Sequence, residues 1–118
     1  MVAGARREQL ELCERLGTAP QYVHGVDKLG VARAVLADPG DPLWPVQGVR
    51  CRPSGDTCGW FLWAGEYSTD PDFFVPATVL EVIAARPEIS HYLGLPPGWG
   101  FIFAPGYEDV WPDEKLLV

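Results

Sequence analysis

The stretch CGWFLWAGE, from Cys58 to Glu66, constrains the fold more than any other part of this chain. In a β-strand its side chains alternate, with Trp60, Leu62 and Ala64 on one side and Phe61, Trp63 and Gly65 on the other. Both sides are apolar, which favours a central strand covered on both faces. The alternative is that one face packs on helices while the other offers aromatic rings to a partner, bordered by acidic loops.

The residues before this strand predict one helix and two strands. Apolar residues at helical spacing predict an N-terminal helix over residues 5–17, which ends at Gly17. A Val- and Ala-rich run predicts a strand over residues 31–36, which ends at the turn sequence of residues 38–42. A second strand follows, with Val46, Gly48 and Arg50 on one face.

Helices and two further strands are predicted after the central strand. A loop at residues 70–72 leads into a helix whose apolar positions are Val79, Leu80, Ile83 and Ala84. A second helix begins at Pro87, buries Ile89, Tyr92 and Leu93, and ends at Gly94, where glycine would supply a left-handed residue. The last strands are predicted over residues 98–106 and 109–111.

This order of elements predicts an α+β fold. We expect a mainly antiparallel sheet of about five strands, with helices packed on one face and the N-terminal helix added to it. The 118 residues have the size of one ordinary domain, so a single domain over residues 1–118 is expected.

Acidic residues dominate the second half of the chain. The net charge is −7, and residues 53–118 hold ten acids against two bases, Arg86 and Lys115. An acidic surface repels a phosphate backbone, so we expect no nucleic-acid partner, and a basic protein partner would be attracted to it. The simpler interpretation is that the charge only keeps the protein dissolved.

The N-terminal sequence and the cysteines together predict a cytoplasmic protein. The charged N-terminus has no run of signal-peptide type and the chain has no membrane-spanning run, so no membrane partner is expected. Three cysteines, an odd number, fit a reducing compartment, although Cys51 and Cys58 could face each other across a hairpin. The histidines lie far from these cysteines in sequence, so no metal site is predicted.

Residues that could carry catalysis occur only singly or in unremarkable pairs. Cys58 with His91 could form a thiol–imidazole pair, and Glu66 with Asp70 or Asp72, or Glu108 with Asp109, could form an acid and base. A cysteine in a buried strand is more often a small apolar residue, and acids beside Gly, Ser and Pro are typical of loops and caps. We therefore predict no catalytic residue and no cofactor.

The segment VLADPGDPLWPVQGVRCRPSGDTCGWFLWAGEYSTDPDFF resembles the core of a family of bacterial immunity proteins from polymorphic-toxin systems, the thirty-third such family, formerly a domain of unknown function. The positions that carry the likeness are Asp56, Gly59, Trp60, Phe61, Trp63, Gly65 and Glu66. The later segment ISHYLGLPPGWGFIFAPGYEDVW is similar to the closing half of that family. The resemblance covers residues 30–114 and leaves the N-terminal helix outside.

The resemblance implies an immunity protein that binds a cognate toxin domain and blocks it by occlusion, without catalysis. The partner-binding residues that we predict are Glu66, Asp70, Asp72, Trp63, Glu108 and Asp109. A basic toxin would complement them, and the aromatic face leaves open a homodimer. Two other hypotheses remain: a small cytosolic enzyme that uses Cys58 or the acidic loop residues, and a regulatory domain with a small-molecule pocket.

Overall fold

The computed structural model of the protein describes residues 3–37, 40 and 42–118. Its strands are β1 (Lys28–Ala32), β2 (Val46–Arg50), β3 (Thr57–Ala64), β4 (Phe74–Thr78), β5 (Trp99–Ala104) and β6 (Tyr107–Pro112). Its α-helices are α1 (Ala3–Leu16) and α2 (Val79–Ala85), and three 3₁₀ helices span Arg33–Leu36, Pro87–Gly94 and Glu114–Leu117. The predicted α+β class is confirmed.

All six strands form one sheet, in the order β4-β1-β3-β2-β5-β6. The pairing of β1 with β3 is parallel, and the other four pairings are antiparallel. The sheet therefore has one more strand than expected, and that strand is β4. Pro76 lies within β4 and has no N–H to give to a ladder, which explains why this strand lies at an edge of the sheet.

The first strand begins and ends earlier than the sequence predicts. The first strand spans Lys28–Ala32, so the prediction of residues 31–36 was wrong for most of its length. The chain turns into a 3₁₀ helix at Arg33, and this turn brings Val35 into the core with no exposed surface. The turn predicted over residues 38–42 falls partly on positions 38, 39 and 41, which lie outside the described residues.

The helices cover one face of the sheet. Trp60, Leu62 and Phe101 point to this face and are fully buried. Val46, Gly48 and Arg50 share it, as the alternation in β2 predicts. The Trp60 indole Nε1–H donates to the carbonyl oxygen of Leu93 at 3.0 Å, which joins β3 to the Pro87–Gly94 helix.

Helix α1 packs closely against the Pro87–Gly94 helix at Gly94. The buried Gln9 amide donates to the carbonyl oxygen of Ser90 at 2.9 Å, and a Cβ atom on Gly94 would lie only 2.6 Å from the Gln9 Cβ. Gly94 does not have a positive φ, so its predicted left-handed conformation was wrong. A side chain at this position would push α1 away. The predicted stop of α1 at Gly17 is confirmed, with φ at +73°.

Helix α2 begins with a complete capping box. Thr78 accepts a hydrogen bond from the Glu81 backbone, and the Glu81 carboxylate accepts one from the Thr78 backbone. Val79 and Val82 are the buried residues of this helix, whereas Leu80 is exposed. The helix was predicted in the right place, but its apolar positions were only partly right because strand β4 directly before it fixes its rotation.

Candidate partner-binding site

The second face of the sheet carries no helix among the described elements. The four helical segments α1, Arg33–Leu36, α2 and Pro87–Gly94 pack with the core on the first face. Phe61 and Trp63 point to the second face and are only half-buried. The favoured interpretation of β3 as a strand covered on both faces was therefore wrong, and the alternative of an aromatic open face describes the structure.

Large rings on this open face lie over glycines on the neighbouring strand. A Cβ atom on Gly30 would lie 2.8 Å from the Phe61 ring, and a Cβ atom on Gly100 would lie 3.1 Å from the Trp111 ring. The register places Gly30 beside Phe61 and Gly100 beside Trp111. The sheet thus supports its exposed aromatic rings without a second layer of helices.

One part of the open face forms a groove of about 290 Å³. The residues that line this aromatic groove are Val49, Cys51, Phe61, Trp63, Tyr67 and Phe74. The ring centroid of Phe74 lies 5.3 Å from that of Phe61 and 6.4 Å from that of Trp63. Tyr67 completes the wall at 5.3 Å from Trp63. Loop and strand residues are therefore held together by edge-to-face ring contacts.

The topology gathers the predicted acidic residues at one end of the sheet, which we call the acidic end. The register Ala64–Val46–Phe103–Glu108 runs across β3, β2, β5 and β6, so the loop after β3 and the start of β6 lie at the same end. This loop carries Glu66, Asp70 and Asp72, and β6 carries Glu108 and Asp109. Three strand spacings, roughly 14 Å, separate β3 from β6.

The three carboxylates of the loop differ in their hydrogen bonding. Glu66 and Asp72 are exposed, and neither carboxylate has a partner among the residues that the structure describes. Asp70 accepts a hydrogen bond from the Asp72 backbone N–H at 2.8 Å, which shapes the turn before β4. Glu66 and Asp72 are therefore free to meet a partner, and Asp70 has a structural role as well.

Glu108 and Asp109 are neighbours in sequence but point to opposite faces of β6. Glu108 accepts a hydrogen bond from the Tyr92 hydroxyl on the helical face. Burial and this hydrogen bond raise the pKa of Tyr92 above the ordinary value for tyrosine. Asp109 lies opposite Ile102 on the open face. Only Asp109 of the two shares a face with the aromatic groove.

Sequence reasoning missed the burial of two arginines. Arg50 and Arg86 are each 2% exposed, and both donate to backbone carbonyl oxygens. Arg86 donates to Val35 at 3.0 Å and lies over the Trp44 ring. Of the two bases in residues 53–118, only Lys115 is therefore exposed, so the surface of this half is more acidic than its composition indicates.

Cys58 and His91, proposed as a thiol–imidazole pair, are not brought together. Cys58 borders a cleft with Arg50 and Gln21, whereas His91 borders a different cleft, beside α1. Burial raises the pKa of Cys58 and lowers that of His91, so each group is held in its neutral form. A protonated thiol is a poor nucleophile. This geometry argues against a thiol–imidazole pair.

The three cysteines are free thiols. Cys51 lines the aromatic groove on the open face, whereas Cys58 borders the cleft with Arg50. The two sulfurs therefore belong to different surfaces of the sheet. The question of a bond between Cys51 and Cys58, left open by the sequence, is answered: the two do not pair in this structure.

Within residues 3–37, 40 and 42–118, no three His, Cys, Asp or Glu residues are grouped so that they could hold a metal ion. None of the described helices has the length and apolar character needed to cross a bilayer.

The family model of the Imm33-like domain matches residues 8–113, which is most of the chain. The chain belongs to the Imm33-like family. The match begins within α1, so the expectation that the N-terminal helix lies outside the family was wrong. Most of that helix is part of the Imm33-like domain, in agreement with its close packing at Gly94. No significant match was found among curated proteins or among solved structures.

Proposed function

We propose that this Imm33-like protein is an immunity protein that binds a cognate toxin domain and neutralises it by occlusion, without catalysis. The observation that carries the proposal is an open aromatic sheet face bordered by exposed carboxylates, of which Glu66 and Asp72 form no ion pair with a described residue, in a chain of an immunity family. We place the protein in the cytoplasm, where a toxin that has entered the cell would be met. The contact residues are Trp63, Glu66, Asp70, Asp72, Glu108 and Asp109.

The charge of the site favours a toxin with a basic surface. Complementary charges speed diffusional encounter, and the effect falls as salt screens them. A toxin that acts on nucleic acid needs basic residues to bind phosphates, so such a surface would itself be what the immunity protein covers. Occlusion then requires only that the acidic end and the open face occupy the surface that the substrate would use.

The raised pKa of the buried Cys58 thiol supports binding over catalysis, since a neutral thiol is a poor nucleophile. His91 lines the cleft beside α1 with Glu8, Glu11 and Arg15 and does not reach the Cys58 cleft. The proposal therefore assigns no reaction to this chain.

The decisive experiment is co-expression with the toxin domain encoded beside this gene. Cells that express the toxin alone should stop growing, and co-expression of the wild-type protein should restore growth. Purified protein should bind the toxin with a submicromolar dissociation constant. Continued growth arrest, or no binding at micromolar concentrations, would refute the proposal.

The contribution of the acidic end can be measured with matched charge variants. Glu66→Gln with Asp72→Asn should lower the association rate with the toxin severalfold at low salt, because these charges steer the encounter. The control is Asp56→Asn with Glu114→Gln, which removes the same formal charge from exposed residues at the other end of the sheet, where Asp56 pairs with Lys28 at 3.3 Å. Equal effects of the two pairs would show that net charge alone matters.

A further inference from the structure

We propose that the aromatic groove receives one arginine side chain of the basic partner, whose guanidinium then meets the carboxylates of Glu66 and Asp72. This inference rests on the proposed function and names the group that the site recognises. Three features of the groove carry it: its size, its lining and the acids beside it, which form no ion pair with a described residue.

The size of the groove favours one side chain over a whole metabolite. Small-molecule pockets in proteins enclose about 300–1,000 Å³. The aromatic groove, at about 290 Å³, lies at or below the lower limit of that range. A single long side chain needs less room than a drug-sized ligand, so the groove suits an anchoring residue of a protein partner.

The lining favours a side chain with a long apolar part. The walls are the rings of Phe61, Trp63, Tyr67 and Phe74, with Val49 and Cys51 between them. The buried Trp63 indole Nε1–H has no acceptor among the described residues, and the Trp63 ring packs edge-to-face against Tyr67 and Phe74. An arginine can lay its aliphatic stem along such a surface and stack its planar guanidinium on a ring.

The acids beside the groove require that the occupant be cationic. Glu66 directly precedes Tyr67, and Asp72 lies two residues before Phe74, so the carboxylates border residues of the groove wall. Both are exposed, and no described cation pairs with them. A neutral apolar occupant would bring these charges close to a desolvated interface without compensation, which is unfavourable.

A second copy of this chain is a poorer occupant. Each copy carries a net charge of −7, so two copies repel each other. A lysine could also enter the groove, but its ammonium is compact and strongly hydrated, whereas guanidinium stacks on rings and binds a carboxylate with two hydrogen bonds. Arginine is therefore the occupant that fits the aromatic groove best.

The test is an NMR titration of the full chain with short peptides. The probe is acetyl-Gly-Arg-Gly-amide, and the control peptides carry citrulline, which has a similar shape without charge, or lysine. The signal followed is the indole N–H resonance of Trp63, assigned by its loss in Trp63→Phe. Trp111, which lies on the same face over Gly100, is the internal control.

The arginine peptide should shift the Trp63 resonance with saturation at millimolar concentrations and leave that of Trp111 unchanged. The lysine peptide should bind severalfold more weakly. Glu66→Gln with Asp72→Asn should weaken arginine binding about fivefold to tenfold, which corresponds to about 1–1.4 kcal/mol.

Three outcomes would overturn the inference. An equal response to citrulline would show that the groove recognises shape and not charge. A Trp63 resonance that changes with protein concentration alone would assign the groove to a second copy. No response to any peptide, from a protein that still rescues growth, would refute the groove inference and leave the proposed function standing. Peptide binding by a protein that does not rescue growth would support the groove inference and refute the proposed function.

Discussion

Arg50 and Trp60 lie opposite each other on β2 and β3 and donate to the same carbonyl oxygen, that of Leu93, at 3.4 and 3.0 Å. Arg50 also donates to the carbonyl oxygens of Gln21 and Leu95, at 2.7 and 2.8 Å. Burial lowers the pKa of Arg50. Its guanidinium joins β2 to the loop at Gln21, to β3 at Cys58 and to the chain at Leu93 and Leu95. The pair fixes the helical layer on the sheet.

Removing the Arg50 guanidinium should strongly destabilise the fold. In Arg50→Met the carbonyl groups of Leu93 and Leu95 would stay buried but lose this donor, and we expect the free energy of unfolding to fall by about 3 kcal/mol or more. Urea denaturation followed by fluorescence measures this change. Arg52→Met is the control, because Arg52 is exposed and makes one hydrogen bond, to Leu117. A loss under 1 kcal/mol in Arg50→Met would contradict the structural role.

The two tryptophans of β3 should respond differently to the same substitution. Trp60→Phe removes a buried hydrogen bond and leaves a void, so the free energy of unfolding should fall by about 2 kcal/mol. Trp63→Phe removes no hydrogen bond to any described acceptor, and we expect a change of less than about 1 kcal/mol. Equal losses would show that the open face is as closely packed as the core. Chemical denaturation of both variants is the measurement.

Gly59 should tolerate no side chain. Its φ is +99°, and a Cβ atom would lie 2.1 Å from the carbonyl oxygen of Cys51. Gly59→Ala should therefore reduce the free energy of unfolding by about 4 kcal/mol or prevent folding, since strain and a backbone clash add. Gly55→Ala is the matched control, with φ at +61° and open space around it, and should lose only about 1 kcal/mol. Thermal unfolding of the two variants should separate them clearly.

Protonation of His91 should destabilise the fold in weakly acidic solution. Burial lowers the pKa of His91, and the positive charge of Arg15 lowers it further. The nearby carboxylates of Glu108 and Glu8 offset this lowering only in part. The native state thus binds fewer protons than the unfolded chain below about pH 6.5, and the free energy of unfolding falls as the pH falls through that value. His91→Asn should flatten the profile below about pH 6.5, as urea denaturation at a series of pH values would show. A profile that stays unchanged in His91→Asn would assign the pH dependence to other groups.

The sequence predicted the class of the fold because alternation in β2 and β3 and helical spacing in α1 are local properties. β4 was missed because Pro76 interrupts its five residues and the helix α2 follows at once. The end of β1 was misplaced because the Val- and Ala-rich run continues through Arg33, where the strand gives way to a 3₁₀ helix. Local composition does not mark that change.

The site was predictable in its residue types but not in its arrangement. Composition indicated an acidic second half, yet the grouping of Glu66, Asp72 and Asp109 at one end follows from the order of the strands. The burial of Arg50 and Arg86 was hidden from the sequence, because all their acceptors except the Cys58 carbonyl lie 29 to 52 residues away along the chain. The sequence offered an open face only as an alternative, since the side of β3 with the half-buried Trp63 is as apolar as the side with the buried Trp60.

The division of the sheet into a covered face and an open face separates two kinds of evolutionary change. Substitutions at Trp60 or Arg50 disturb folding in every cell, whether or not a toxin is present. Under the proposed function, substitutions at Trp63 or Glu66, which lie outside the helical layer, alter what the protein recognises. A lineage facing a succession of rival toxins could therefore revise its recognition surface repeatedly on an unchanged scaffold.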